Sequence, residues 1–195
     1  MLRGMENTFE DFYLNPESLD RLLGVLTDYA LEMIRGWARW ENIDAIFVTD
    51  DWGTQQALMI SPEIWRKFFA HRYRRIAEEA HRFGMDLIFH SCGNVSAIIG
   101  DLIDAGVDVL DPIQPDAMDL QALAREYGGK LAISGGISDQ RLARLTPQQI
   151  KDEIRATIDL LGRAFDNAYL VGPSNALTPE IPLANIEAMF EACHA

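Results

Sequence analysis

Five short, mostly apolar segments recur along the chain, each followed by a turn and a helical pattern. They are residues 44–50 (DAIFVTD), 86–90 (DLIFH), 107–111 (VDVLD), 131–134 (LAIS) and 168–171 (AYLV). Runs this short and this apolar, the first of them continuously so over Ala45-Ile46-Phe47-Val48, suit strands covered on both faces, as in a parallel sheet. Parallel neighbours cannot be joined by a hairpin, so a crossover, usually a helix, must lie between them. Helical spacing fills each gap. The spacing predicts a first helix over 15–40, where Leu19, Leu22, Leu23, Leu26, Ala30, Met33 and Ile34 share one face. Asn15 is its expected cap and Pro16 its first residue, where a missing N–H costs nothing. Further helices are predicted over 61–83, closed by Gly84, over 95–105, stopped by Gly106, and over 120–127, ended by Gly128-Gly129. Another runs over 146–165 behind the capping-box pattern Thr146-Pro147-Gln148-Gln149, and a last over 183–192. Trp37, Trp40 and Trp65 fall within helical patterns and are expected to pack.

A strand–helix repeat of this kind fits either a doubly wound sheet or a (β/α)8 barrel. No Gly-x-Gly-x-x-Gly follows the first strand, which weakens the case for a dinucleotide fold. A complete barrel takes about 250 residues and eight strands. With 195 residues and five predicted strands, the residues alone imply an α/β protein that is a partial barrel or an open sheet. No low-complexity linker divides the chain, so residues 1–195 are expected to form one domain.

Composition narrows the partners. The formal net charge is -13, which repels nucleic acid and anionic membranes. No apolar run approaches the roughly 20 residues that span a bilayer. The start Met1-Leu2-Arg3-Gly4 does not read as a signal peptide. Cys92 and Cys193, the two cysteines, form no disulfide framework and fit a reducing, cytoplasmic setting.

In parallel α/β proteins the working groups lie just beyond the C-terminal ends of the strands. Here those segments read Asp50-Asp51-Trp52-Gly53 then Gln55, His90-Ser91-Cys92-Gly93-Asn94, Asp111-Pro112-Ile113-Gln114-Pro115, Ser134-Gly135-Gly136-Ile137 and Gly172-Pro173-Ser174-Asn175. His90 and Cys92 are two apart, so on extended backbone they point to one side. Imidazole and thiolate together suit zinc, which keeps a place open for substrate at catalytic sites. The same pair also reads as a hydrogen-bonded core histidine beside a small buried thiol. Asp50 and Asp51 are adjacent and point to opposite sides; one faces the pocket as base or metal partner, the other caps the turn. Asp111 reads as a pocket group or a turn residue. Gly135-Gly136 reads as backbone open to an anionic group or as a tight turn. Trp52, directly after a strand, is placed for a pocket, and Cys193 reads as incidental. The candidate set is therefore Asp50, Gln55 and Asp111 for catalysis, Trp52, Asn94, Gln114 and Gly136 for substrate binding, and His90 and Cys92 for a metal.

Taken in order, these segments resemble the superfamily of uroporphyrinogen decarboxylase and the corrinoid-dependent methyltransferases. The resemblance is carried by Arg3-Gly4-Met5-Glu6-Asn7, Asp50-Asp51-Trp52-Gly53-Thr54-Gln55, Ser61-Pro62-Glu63-Ile64-Trp65, His90-Ser91-Cys92-Gly93-Asn94, Leu110-Asp111-Pro112-Ile113-Gln114-Pro115, Gly135-Gly136-Ile137 and Pro182-Leu183-Ala184-Asn185-Ile186. It implies the C-terminal portion, about five βα units, of a TIM (β/α)8 barrel. The first barrel strands would then be missing, leaving an open edge that a truncated product exposes or another subunit completes. The methyltransferases of the superfamily move methyl from a methylcorrinoid to a thiol such as coenzyme M. They hold zinc through a His-x-Cys pair and a distant cysteine near the last strand. His90 and Cys92 match the pair, while residues 172–177 (GPSNAL) hold no cysteine. A carboxylate such as Asp50 or Asp111 would have to complete the set. The decarboxylase branch uses no metal or cofactor and takes a tetrapyrrole rich in carboxylates. Such a substrate calls for arginines, and none of the five strand-end segments has one. The resemblance thus favours a zinc-dependent methyltransferase partnered by a corrinoid protein. The alternatives are a uroporphyrinogen decarboxylase and an inactive fragment or accessory subunit.

Overall fold

The computed structural model describes residues 3–194, and among them five strands pair in parallel, strictly in chain order. The order of elements is α1 (Met5–Leu14), α2 (Pro16–Trp37), β1 (Ala45–Thr49), α3 (Pro62–Trp65), a π-helical turn (Arg66–Ala70), α4 (His71–Arg82) and β2 (Asp86–His90). A 3-10 turn (Ser96–Ile98) then leads into α5 (Ile99–Ala105), β3 (Val109–Ile113), α6 (Leu120–Tyr127), β4 (Ala132–Ile137), α7 (Asp139–Leu142), α8 (Pro147–Ala164), β5 (Tyr169–Pro173) and α9 (Leu183–Cys193). A doubly wound sheet reverses its strand order at a switch point, where ligands bind. The order β1-β2-β3-β4-β5 has no reversal. This is an arc of a barrel, and the choice left open by the residues is decided.

The two faces of the arc differ. Val48, Phe89, Leu110 and Ile133 stand opposite one another across four strands. Phe89, Leu110 and Ile133 are fully buried beneath the helices. The alternate row, Phe47, Ile88, Val109 and Ala132, faces the barrel interior. There Phe47 is 52% exposed, as is Leu170 of β5 at 60%. The helix side is a finished core; the inner side is bare apolar surface.

Several boundaries differ from expectation, each for a local reason. The predicted helix over 15–40 begins at Pro16 as expected, but it is preceded by α1, which the sequence reading missed. Asn15 stands at the N-cap position of α2, but its side chain makes no capping bond. Its side chain donates to Asp11 Oδ1 at 2.7 Å, and Asp11 also receives Arg3. Pro16 disfavours helical backbone at the residue before it, which separates α1 from α2. The helix ends at Trp37, and Trp37 and Trp40 are 39% and 73% exposed, so the expected packing of both is corrected. Trp65 does pack, stacked on Tyr73 with ring centroids 5.6 Å apart. The predicted helix over 61–83 is interrupted by the π turn, which places Phe68 and Phe69 side by side in the core. Strands β3 and β4 run past the residues expected to stop them, Pro112 and Gly135-Gly136, and β5 runs two residues beyond its expected end at Val171. Pro112 offers no N–H to the ladder. The register shifts there and resumes with Ile113 opposite Gly135. Gly135 sits at φ +101, and a side chain would meet Ile113 O at 2.9 Å. Glycine lets β4 pass the proline closely.

A second, smaller cluster joins α7, α8 and α9 through Ile137, Leu142, Ile150, Ile154 and Met189. α8 opens with the expected capping box at Thr146 and Gln149. Asn185 of α9 is 3% exposed, and its Nδ2 donates to Leu142 O at 2.7 Å and Leu145 O at 2.9 Å. Two carbonyls, one at the end of the short α7 and one just beyond it, depend on it. Asn185→Ala is expected to cost about 1–3 kcal/mol in urea unfolding, the usual penalty for stranded buried acceptors.

Candidate functional site

The site is built where β1, β2 and β3 end. His90 pairs with Thr49 on one side and with Asp111 on the other. The Asp111 carboxylate lies 2.7 Å from His90 Nδ1. An ionised carboxylate can only accept, so Nδ1 is the donor, and in the neutral imidazole Nε2 is then the nitrogen with the free lone pair. That nitrogen is 3.7 Å from Cys92 Sγ and 3.9 Å from Asp51 Oδ1. Asp51 Oδ1 also accepts the Cys92 N–H at 2.8 Å. Donor atoms of Asp51, His90 and Cys92 all lie within 4.8 Å of one another.

Glycine makes this proximity possible. The loop after β1 crosses the loop after β2 backbone against backbone at Gly53 and Gly93. A side chain on Gly53 would fall 2.6 Å from Cys92 O and Asn94 N, and Gly93 lies at φ +80. Asn94 N–H donates to Thr54 O at 2.7 Å, and Trp52 N–H to Ser91 Oγ at 2.9 Å. Ser91 is fully buried. Gln114 ties the β2 loop from the far side: its Oε1 accepts Gly93 N–H at 2.6 Å, and its Nε2 donates to Ser174 O at 3.0 Å.

Burial pushes the Cys92 thiol up, and the negative charges of Asp51 and then Asp111 push it further. With no cation present the thiol holds its proton near neutrality and is a poor nucleophile. A cation held by the same atoms reverses that balance.

Asp50 turns to the other side of β1. Its Oδ2 receives the Tyr73 hydroxyl at 2.5 Å. Partial desolvation raises its carboxyl above the ordinary range and Asp51's charge adds to this, against the Tyr73 hydrogen bond. Burial, followed by Asp50's charge, pushes the Tyr73 phenol well up. This pair borders a largely apolar cavity of about 490 Å³ between α1, α2 and α4, lined also by Phe9, Phe12, Leu22 and Arg72.

The structure therefore brings His90, Cys92 and Asp111 together and sets Asp50 apart. Trp52 is buried, 4.4 Å from Phe69 between ring centroids, with its indole N–H 3.4 Å from the Tyr73 oxygen. Gln55 is exposed on its loop. Asn94 spends its side chain on Gln56 O and Ser96 N–H, and Gln114 both ends of its amide on backbone. Gly136 lies against the Tyr169 hydroxyl, at φ +86. Tyr73 and Ser91 were given no role from the sequence, and Asp51 was weighed there against Asp50 as the pocket-facing carboxylate but left out of the candidate set. For Asp51 a signal existed: two residues beyond Thr49, it falls on the side of β1 that faces His90.

The sequence profile of the family described as uroporphyrinogen decarboxylase (URO-D) matches residues 1–195. A uroporphyrinogen decarboxylase of Nocardia farcinica (strain IFM 10152) is 24% identical over 192 residues, 97% of this chain and 52% of that protein. The methylcobamide:CoM methyltransferase MtaA of Methanosarcina barkeri is 23% identical over 177 residues, 90% of this chain and 47% of that protein. A solved methyltransferase from Methanosarcina mazei superposes with a TM-score of 0.74 at 20% identity, over 96% of this chain and 52% of that one. The chain thus spans about half the length of these relatives. No helix among the described residues is long and apolar enough to cross a membrane. With a profile match along its whole length and a parallel arc of the same barrel fold, this chain belongs to the uroporphyrinogen decarboxylase (URO-D) family.

Proposed function

We propose that this chain carries the metal-bearing part of a zinc-dependent enzyme that transfers methyl from a methylcorrinoid to a small thiol. The observation that carries the reading is the His90 imidazole, anchored at Nδ1 by Asp111 and presenting Nε2 toward Cys92. Metal-binding histidines commonly hand their second nitrogen to a carboxylate in this way, which fixes the tautomer and raises the basicity of the free one. His90 and Cys92 fit zinc by donor type. Zinc bound there would lower the pKa of a thiol substrate and present it as thiolate. Within the chain, Asp111 orients His90, and the Gly53–Gly93 crossing holds Cys92 beside it. Gln114 links the loop after β2 to the loop after β5. A corrinoid protein is the partner that would deliver the methyl group. The second reading, decarboxylation of uroporphyrinogen, draws on the Nocardia relative and needs no metal.

Further βα units, we propose, pack on the bare inner face at Phe47, Ile88 and Val109 and at the two edge strands. The support is the exposed apolar row and the greater length of the relatives.

Metal binding tests the first reading. The purified chain, stripped by chelator and reconstituted, is expected to retain one zinc per chain by elemental analysis, and Cys92→Ser to lose it. Methylcobalamin with a small thiol should then yield the methyl thioether. No zinc in the reconstituted chain, together with carbon dioxide release from uroporphyrinogen, would replace this reading by the second.

A further inference from the structure

We infer that Asp51 is the third protein ligand of this centre, giving an imidazole, thiolate and carboxylate set supplied by two adjacent strand ends. The inference rests on the metal reading above, whose own ligands are His90 and Cys92.

Geometry separates the three nearby carboxylates. Asp111 holds His90 Nδ1 at 2.7 Å. The two ring nitrogens point away from each other, so a carboxylate seated on Nδ1 cannot also meet a metal at Nε2. Asp50 faces the opposite side of β1, where its Oδ2 is taken by Tyr73. Asp51 alone among them stands on the Nε2 side, 3.9 Å from that nitrogen. Around a tetrahedral zinc with bonds of about 2.0–2.3 Å, neighbouring ligand atoms lie ~3.3–3.6 Å apart. The 3.7 Å from Nε2 to Cys92 Sγ is within ~0.2 Å of such a spacing, and the 3.9 Å to Asp51 Oδ1 is ~0.5 Å long, a gap that a small rotation of the exposed Asp51 side chain closes.

Charge and support agree with the geometry. A thiolate and a carboxylate together neutralise a divalent cation. The Asp51 carboxylate is already held by the Cys92 N–H at 2.8 Å, as ligating carboxylates usually are. That hydrogen bond also locks the two ligands to each other. The Asp51 side chain is 61% exposed, which leaves a fourth position open toward solvent and substrate. An oxygen in the set makes the centre harder than one with two thiolates, so Co²⁺ should enter readily in place of Zn²⁺.

The experiment is a metal titration of the chelator-stripped full chain, with Zn²⁺ followed by competition against a chromogenic chelator and Co²⁺ followed by its visible spectrum. Asp51→Asn retains the acceptor for Cys92 N–H, and Asp51→Ala checks that the asparagine is not itself a ligand. Circular dichroism of both variants checks that they fold. Loss of a supporting outer-shell group costs about 10–100-fold in affinity, and loss of a ligand should cost at least the upper end of that range. Zn²⁺ affinity is thus expected to fall by about 100-fold or more in both Asp51 variants, with a changed Co²⁺ spectrum, while Asp50→Asn stays within about twofold of the parent. A parent chain that binds zinc, with Asp51 variants matching it in affinity and spectrum, overturns this inference and leaves the metal reading standing. A parent chain that binds neither ion overturns both.

Discussion

Gly93→Ala should lower the stability of the chain by about 2–4 kcal/mol, the sum of a left-handed backbone penalty and a steric one. Gly93 sits at φ +80, where a Cβ crowds the following carbonyl. Its new methyl would also point at the backbone of Gly53 and lie 2.6 Å from Thr54 O. Backbone on both sides cannot swing aside as a long side chain would, so the two loops must separate. The Gln114 hydrogen bond to Gly93 N–H and the Asn94 hydrogen bond to Thr54 O are strained by the same movement. Urea unfolding of the substituted chain gives the stability change directly. A loss below about 0.5 kcal/mol, the range of ordinary surface changes, would show that the crossing is not a tight contact. The same substitution separates Asp51 from Cys92, so zinc affinity is expected to fall with stability.

The second large effect contrasts the two faces of the sheet. Phe89→Ala is expected to cost about 3–5 kcal/mol, as for a large ring removed from a packed core. Phe89 is fully buried and meets Tyr73 edge-on with centroids 5.1 Å apart. Phe47→Ala, on the neighbouring strand but in the inner row, should cost under about 1 kcal/mol, because half the ring is already in water. Denaturation of both variants of the isolated chain measures the difference. Equal costs would mean that the inner face is covered in solution, for instance by a second copy. Addition of a polypeptide that closes the barrel should raise the cost at Phe47 and leave that at Phe89 unchanged.

The element types were legible in the residues because periodicity is a local property. Short, mostly apolar segments marked all five strands, and the capping box at Thr146 marked the start of α8. The errors came where local signals compete with tertiary ones. Asn15-Pro16 looks like a helix start and is one, yet the asparagine side chain is claimed by Asp11. Pro112 and Gly135-Gly136 look like strand ends, yet neighbouring strands carry them further along the ladder.

The candidate site divides in the same way. Sequence alone placed His90 and Cys92 on one side of one strand, since alternation along a strand requires no partner. It identified the loops that hold the site and the family resemblance that the profile match later bore out. It left open which carboxylate attends which nitrogen. That choice depends on register: Asp111 falls opposite His90 because β3 pairs with β2 at that residue. Asp51, not Asp50, reaches Nε2 because β1 presents its odd-numbered residues to the inner side beyond Thr49. A slip of one residue in either pairing would exchange these roles, and no local pattern records the register. Only the packed sheet, with its glycine crossing at Gly53 and Gly93, sets it.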